Sequence, residues 1–229
     1  MSIINRQQFH EQYGPGRFLL PVSDNGFDNR HTGQDLITAL CDHFKPARVL
    51  EIGINVGETA RAILSDAPYV KEYIGLDRTD MWYKQKDTDK PGQLVTDERL
   101  QVLIIEGGTN GIKKGDIEPV DFIFVDGDHT RHACEFDTRL AYSLLNPGGV
   151  NVWRDYNSPR DPGVKDFIHS INEAERGGRI CHVEGSWIAY EITPVAPEAV
   201  AEIPSVGFSP SGAPAKKTRK KVKSIIEPL

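Results

Sequence analysis

Residues 48–59 read Arg48-Val49-Leu50-Glu51-Ile52-Gly53-Ile54-Asn55-Val56-Gly57-Glu58-Thr59. A short apolar run that stops at glycine, followed by a helix expected to about residue 67, reads as a buried strand turning sharply into a helix. Glycines in such a turn also let a ligand approach main-chain N–H groups near the helix N-terminus. Their spacing here is GxxxG, which lacks the GxGxxG of a dinucleotide-binding turn.

The same alternation runs outward in both directions. Upstream, Thr32 is a candidate N-cap for a helix carrying Leu36, Ile37, Leu40 and Phe44 on one face, with Asp35 in its first turn and Pro46 beyond its end. Downstream, strands are expected over residues 73–77, 100–105 and 121–126. A helix over 131–145 stops at Asn146-Pro147-Gly148-Gly149, and a strand follows over 150–153. Asp161-Pro162 opens a helix to about residue 176, and residues 179–183 and 187–192 form a closing hairpin. The pattern predicts an α/β fold: a doubly wound, mostly parallel seven-stranded sheet with a closing antiparallel hairpin and a ligand crevice at the strands' carboxyl ends. Residues 78–98 interrupt the rhythm. They are polar, contain Pro91-Gly92, and read as an excursion over the crevice in which Trp82 and Tyr83 are local anchors or ligand platforms.

Composition bounds the reading. The chain has 229 residues, about one and a half times a typical ~150-residue domain, which suits one α/β domain with an appendage. Hydrophobic residues make up 38% and there are 21 glycines, so a sizeable core is available and wholesale disorder is excluded. No apolar run approaches the ~20 residues of a membrane span, and the first residues carry no signal-peptide pattern, so a cytoplasmic, non-membrane protein is expected. Cys41, Cys134 and Cys181 are odd in number and widely spaced, which gives neither a disulfide framework nor a zinc pair.

Charge divides the chain. Residues 194–229 hold six basic and three acidic side chains, leaving 21 basic and 30 acidic ones in residues 1–193. Six prolines in that tail (Pro194, Pro197, Pro204, Pro210, Pro214 and Pro228) break up any periodicity. Three segments are therefore expected: an N-terminal extension over 1–31, a domain over 32–193, and a Pro-rich linker with a basic tail over 194–229. The cations at 216–223 suit an anionic or protein partner, and the acidic body repels nucleic acid.

Asp77 ends the second expected strand, 20 residues beyond Gly57. An acid there is placed to accept two hydrogen bonds from a ribose diol. Taken together, VLEIGINVGET, YIGLD, DFIFVDGDHT and LLNPGGVNVWRDY resemble the class I S-adenosylmethionine-dependent methyltransferases, and among them the small O-methyltransferase-like group with a DGDH motif. The resemblance spans roughly residues 34–192 and implies a Rossmann-like fold with S-adenosyl-L-methionine as cofactor. It implies that Glu51, Gly53, Asn55 and Gly57 shape the methionine-moiety pocket, with Asp126 beside it. Asp77 would hold the ribose, and Thr109 and Asn110 would lie near the adenine.

The richest cluster follows the fourth expected strand. Asp126, Asp128 and His129 fall within four residues, and Asp155, Tyr156 and Asn157 end the neighbouring strand. Oxygen donors of this kind suit Mg²⁺ or another divalent ion. The family likeness implies Asp126 and Asp155 as ligands, with Tyr156 standing where a second ligand of the last strand is usual and Asn157, Asp128 or His129 completing the shell. Methyl transfer to oxygen is an in-line displacement that needs the acceptor aligned and deprotonated. His129, with an ordinary pKa near ~6.5, or Asp128 would be the base. Alternatively Asp128 caps the following helix and His129 packs beside it. The expected activity is O-methylation of a small-molecule or sugar hydroxyl. The competing readings are a methyltransferase-fold assembly protein that docks a partner through its tail, and a nucleic-acid methyltransferase.

Overall fold

The computed structural model describes residues 1–17, 33–78, 90–105, 107–112, 115–160 and 162–195. Its elements are β1 (Ser2–Ile4), α1 (Arg6–Tyr13), α2 (Gln34–Phe44), β2 (Arg48–Ile52), α3 (Glu58–Leu64), β3 (Glu72–Asp77), β4 (Leu100–Ile104), β5 (Val120–Val125), α4 (Arg131–Leu144), β6 (Leu145–Trp153), α5 (Pro162–Ala174), β7 (Cys181–Val183) and β8 (Ala189–Ile192). The strands form one sheet in the order β1-β7-β8-β6-β5-β2-β3-β4. Pairing is parallel except where β8 meets β6 and β7.

From β2 the chain winds outward through β3 and β4; it then returns to the other side of β2 at β5 and continues through β6. That reversal lies between β2 and β5, where a doubly wound sheet opens a crevice beyond its carboxyl ends. Register fixes what meets there. Ile52 pairs with Val125, and Val125 with Trp153, so Gly53, Asp126 and Arg154 leave adjacent strands at one level.

Both faces of the sheet are covered, which is why the central strands read as nearly continuous apolar runs. One layer packs Phe9, Tyr13, Leu36, Leu40 and Ile63 against Val49, Phe122, Phe124 and Val152. The other packs helices α4 and α5 against Leu50, Ile52, Ile123 and Trp153. Trp153 is wholly buried, and its indole N–H donates to Thr138 Oγ1 of α4 at 2.9 Å. Burial of such a side chain contributes on the order of 2–3 kcal/mol, and the partnered N–H removes the cost of desolvating it.

The expected hairpin, parallel core and strand ends are present, with differences in detail. There are eight strands rather than seven among the described residues. The added one is β1, which pairs in parallel with β7, while Phe9 and Tyr13 of α1 enter the core. Three residues are too few for a period-two pattern to register in a sequence. Strand β6 starts at Leu145 and runs through the expected stop, with its register to β5 shifting between Val120 and Phe122. Helix α3 ends at Leu64, and α2 is led by Gly33 in a left-handed conformation with no side-chain cap. The proposed cap Thr32, the aromatics Trp82 and Tyr83, Asp161, and the basic tail at 216–223 all lie outside the described residues. No helix among the described residues is long and apolar enough to cross a membrane.

Candidate active site

The turn after β2 is built by close backbone approach. Gly53 adopts φ +89°, and a Cβ there would sit 2.1 Å from the Asp126 carbonyl oxygen, so only glycine fits. Gly53 and Ile54 both donate to the Leu76 carbonyl, at 2.8 and 3.1 Å. Asn55 is left-handed at φ 48°, and Gly57 leads α3 at φ 92°. Asp77 clamps this turn: its Oδ2 accepts the Asn55 N–H at 2.7 Å and its Oδ1 accepts the Arg78 N–H at 2.6 Å. A carboxylate offers about four acceptor positions, and the donors among the described residues named here take one on each oxygen. The outer side of the turn carries the segment after residue 90, where Gly92 N donates to Asn55 O at 2.7 Å and Leu94 N to Val56 O at 2.9 Å.

Glu51 lies beneath the turn, 2% exposed, and accepts the Tyr73 hydroxyl at 2.8 Å. Burial pushes its carboxyl well above the usual carboxylate range, and the hydrogen bond from Tyr73 acts in the opposite direction. On the far side, Thr109 and Asn110 belong to a short 3-10 turn. The Thr109 hydroxyl donates to Asp137 of α4, and Asn110 is exposed. Burial raises the Asp137 carboxyl to about 6. A Cβ on Gly127 would come within 2.5 Å of Asp137 Oδ2, whereas one on Gly107 would meet none of the described residues within 4 Å.

At the ends of β5 and β6 the structure brings together Asp126, His129 and Asp155. One donor atom from each lies within 4.8 Å of the others. His129 Nε2 is 3.1 Å from Asp155 Oδ2 and 3.5 Å from Asp126 Oδ1. Asp155 reaches this position from a left-handed backbone, φ 59°, a conformation that costs a non-glycine residue ~1 kcal/mol or more and tends to occur where geometry matters. Asp128 Oδ1 accepts the Thr130 N–H at 2.9 Å in the turn before α4, while Thr130 itself is the N-cap. Asn157 is exposed, and its Oδ1 accepts from Lys165 Nζ at 3.0 Å. Tyr156 turns into the core instead, 3% exposed, with its hydroxyl 2.7 Å from His169 Nε2. Burial lifts the Tyr156 phenol to about 12.

Arg154 is the site residue that sequence reading passes over. Its Nη1 donates to Asp126 Oδ2 at 2.7 Å, and its Nε lies 3.9 Å from Asp155 Oδ2. Asp126 above all, with Asp155, raises its pKa further, so the guanidinium is a permanent cation here. The signal for it exists only in the strand register: parallel β5 and β6 set residues 126 and 154 side by side.

Residues 50–156 match the family model of a methyltransferase domain. No curated protein matches the chain. Among solved structures, a putative caffeoyl-CoA O-methyltransferase from Staphylococcus aureus is similar at 16% identity and a TM-score of 0.52, covering 82% of this chain and 90% of that one. The MycE methyltransferase of the mycinamycin biosynthetic pathway, in complex with Mg, SAH and mycinamycin VI, shares 19% identity at a TM-score of 0.51, over 86% of this chain and 56% of its own. The O-methyltransferase TomG from Streptomyces achromogenes, in complex with SAM, shares 15% identity at a TM-score of 0.50, over 81% and 86% of the two chains. At these identities the likeness is one of fold.

Proposed function

We propose, from the match of residues 50–156 to the family model of a methyltransferase domain, that the chain is an S-adenosylmethionine-dependent O-methyltransferase acting on a hydroxyl of a small molecule or sugar. The observation that carries this reading is the pairing of His129 with Asp155 on the strand ends next to the turn that Asp77 clamps.

The residues present suit the cofactor. Asp77, at the end of β3, is placed to accept from ribose hydroxyls, and no described residue crowds the Gly107 backbone, beside which Thr109 and Asn110 would meet a flat base. When bound, S-adenosylmethionine supplies an electrophilic methyl group on a sulfonium. His129 then takes the acceptor's proton on Nδ1, the ring nitrogen opposite the one that faces the carboxylates, while Nε2 stays against Asp155, which orients the ring and offsets the positive charge that forms on it. Arg154 stands against Asp126 and His129 against Asp155, so each carboxylate faces a basic group.

A second reading is favoured by the grouping of Asp126, His129 and Asp155. Two carboxylates and an imidazole fit a divalent ion of the manganese or zinc kind as donors, with Asn157 nearby in sequence. In that case Asp126, His129 and Asp155 would hold the ion, whose chemistry there would be Lewis-acid polarisation of the acceptor hydroxyl, and Asp128 would serve as base. The bound ligands of MycE and TomG support both the cofactor and a small-molecule acceptor.

Calorimetric titration with S-adenosylmethionine, followed by transfer of labelled methyl to a panel of catechols, sugars and nucleic acid, tests the reading. Binding with transfer to a hydroxyl compound is expected. Binding without transfer points to an assembly role, transfer to nucleic acid alone moves the acceptor class, and no binding retires the proposal.

A further inference from the structure

We propose that Arg154 is the specificity-determining residue of this centre: its guanidinium takes the place of a divalent ion between Asp126 and Asp155, and methyl transfer runs through His129 without a metal. The inference rests on the O-methyltransferase reading and decides between its two forms.

Two carboxylates at adjoining strand ends need a compensating cation. In the described structure that cation is already part of the chain. Arg154 donates to Asp126 Oδ2 at 2.7 Å, and its Nε lies 3.9 Å from Asp155 Oδ2, the same oxygen that faces His129 at 3.1 Å. Any ion gathering Asp126, His129 and Asp155 would therefore sit beside a fixed positive charge and compete with it for both carboxylates. Coulomb repulsion and the loss of a charge-assisted hydrogen bond both oppose that binding.

Arg154 is also held in place. Its backbone N–H donates to Val125 O at 3.0 Å, which carries the β5–β6 ladder into the site. Its side chain remains 30% exposed, so the guanidinium forms part of the crevice wall. A neutral residue here would leave the donor set intact and remove its competitor.

Mn²⁺ titrated into the full-length wild type, Arg154→Gln, Arg154→Met and Arg154→Lys, followed by calorimetry and electron paramagnetic resonance, tests this without turnover. S-adenosylmethionine affinity, measured alongside, reports on the integrity of the neighbouring half of the site. We expect the neutral variants to bind Mn²⁺ at least tenfold more tightly than wild type, with Arg154→Lys remaining as weak as wild type. Asp126→Asn added to a neutral variant should abolish the gain. Two neutral variants are used so that one that misfolds does not decide the outcome. Equal Mn²⁺ affinity in wild type and neutral variants overturns the inference, and so does binding by none of them or a gain shared by Arg154→Lys. Each of these outcomes leaves the methyltransferase reading standing, since that reading falls only if the cofactor fails to bind.

Discussion

His129 of the loop after β5 and Asp155 at the end of β6 face each other with 3.1 Å between Nε2 and Oδ2, although 26 positions separate them in sequence. A carboxylate beside an imidazole orients the ring and stabilises its protonated form, which is what a general base requires once it has taken a proton. His129→Ala is expected to lower turnover by about 10²–10⁴-fold while leaving S-adenosylmethionine affinity unchanged. Full activity in this variant would hand the role to Asp128.

Asp77 holds the turn and, in the proposed reading, would also meet the ligand. Its Oδ2 holds the Asn55 N–H, so the charge that would meet the ribose also fixes the left-handed step of the loop. Asp77→Ala should weaken S-adenosylmethionine binding about 10–100-fold, in line with losing hydrogen bonds to a charged group. Asn55→Gly keeps the backbone conformation and serves as the comparison, expected to bind within a few-fold of wild type. Calorimetry that finds Asp77→Ala equal to wild type would remove the ribose assignment.

Burial of Asp137 makes stability depend on pH in a predictable direction. Its carboxyl is raised from 3.8 to about 6, chiefly by desolvation. A group whose folded pKa lies above its unfolded value contributes stability below about pH 4, and that contribution is lost as pH rises through 6. The loss amounts to up to about 3 kcal/mol for a shift of this size. Asp137→Asn, which keeps an oxygen for the Thr109 hydroxyl, should match wild type near pH 4 and exceed it increasingly toward pH 7. Urea unfolding at several pH values measures the difference, and parallel curves for the two proteins would refute it.

How much of this was legible in the sequence follows from whether the signal was local. Strands β2, β3 and β5 were readable because burial on both faces makes them apolar throughout, and the acids that end them follow directly. His129 stood out because Asp126 and Asp128 lie within three residues of it. Arg154 did not, because its partner is set by strand pairing across 28 positions. Tyr156 shows the opposite failure. Its place in the sequence suggested a ligand position, but the tyrosine packs against His169 and His182 inside the helix-covered layer. Asp137 carries no local signal in the sequence, and its surroundings are set by the close approach of Gly127 and Thr109. β1 went unread because three residues carry no period.

Away from the crevice, Glu191 is a buried charge held by three partners and should be costly to remove. It is fully buried, and it accepts from Arg176 Nε and Nη2 at 2.8–3.0 Å, from Arg179 Nε at 3.1 Å and from the Tyr142 hydroxyl at 2.8 Å. The Arg176 guanidinium, itself almost wholly buried, also lies over the Tyr142 ring at 4.1 Å. Truncating one partner of a buried pair leaves the other charge without compensation, so Glu191→Ala should cost about 3–5 kcal/mol in chemical unfolding. Replacing both partners, as Arg176→Met with Glu191→Leu, removes the stranded charge and should recover most of that loss. If the double variant is as unstable as Glu191→Ala, the cost comes from packing rather than from an uncompensated arginine.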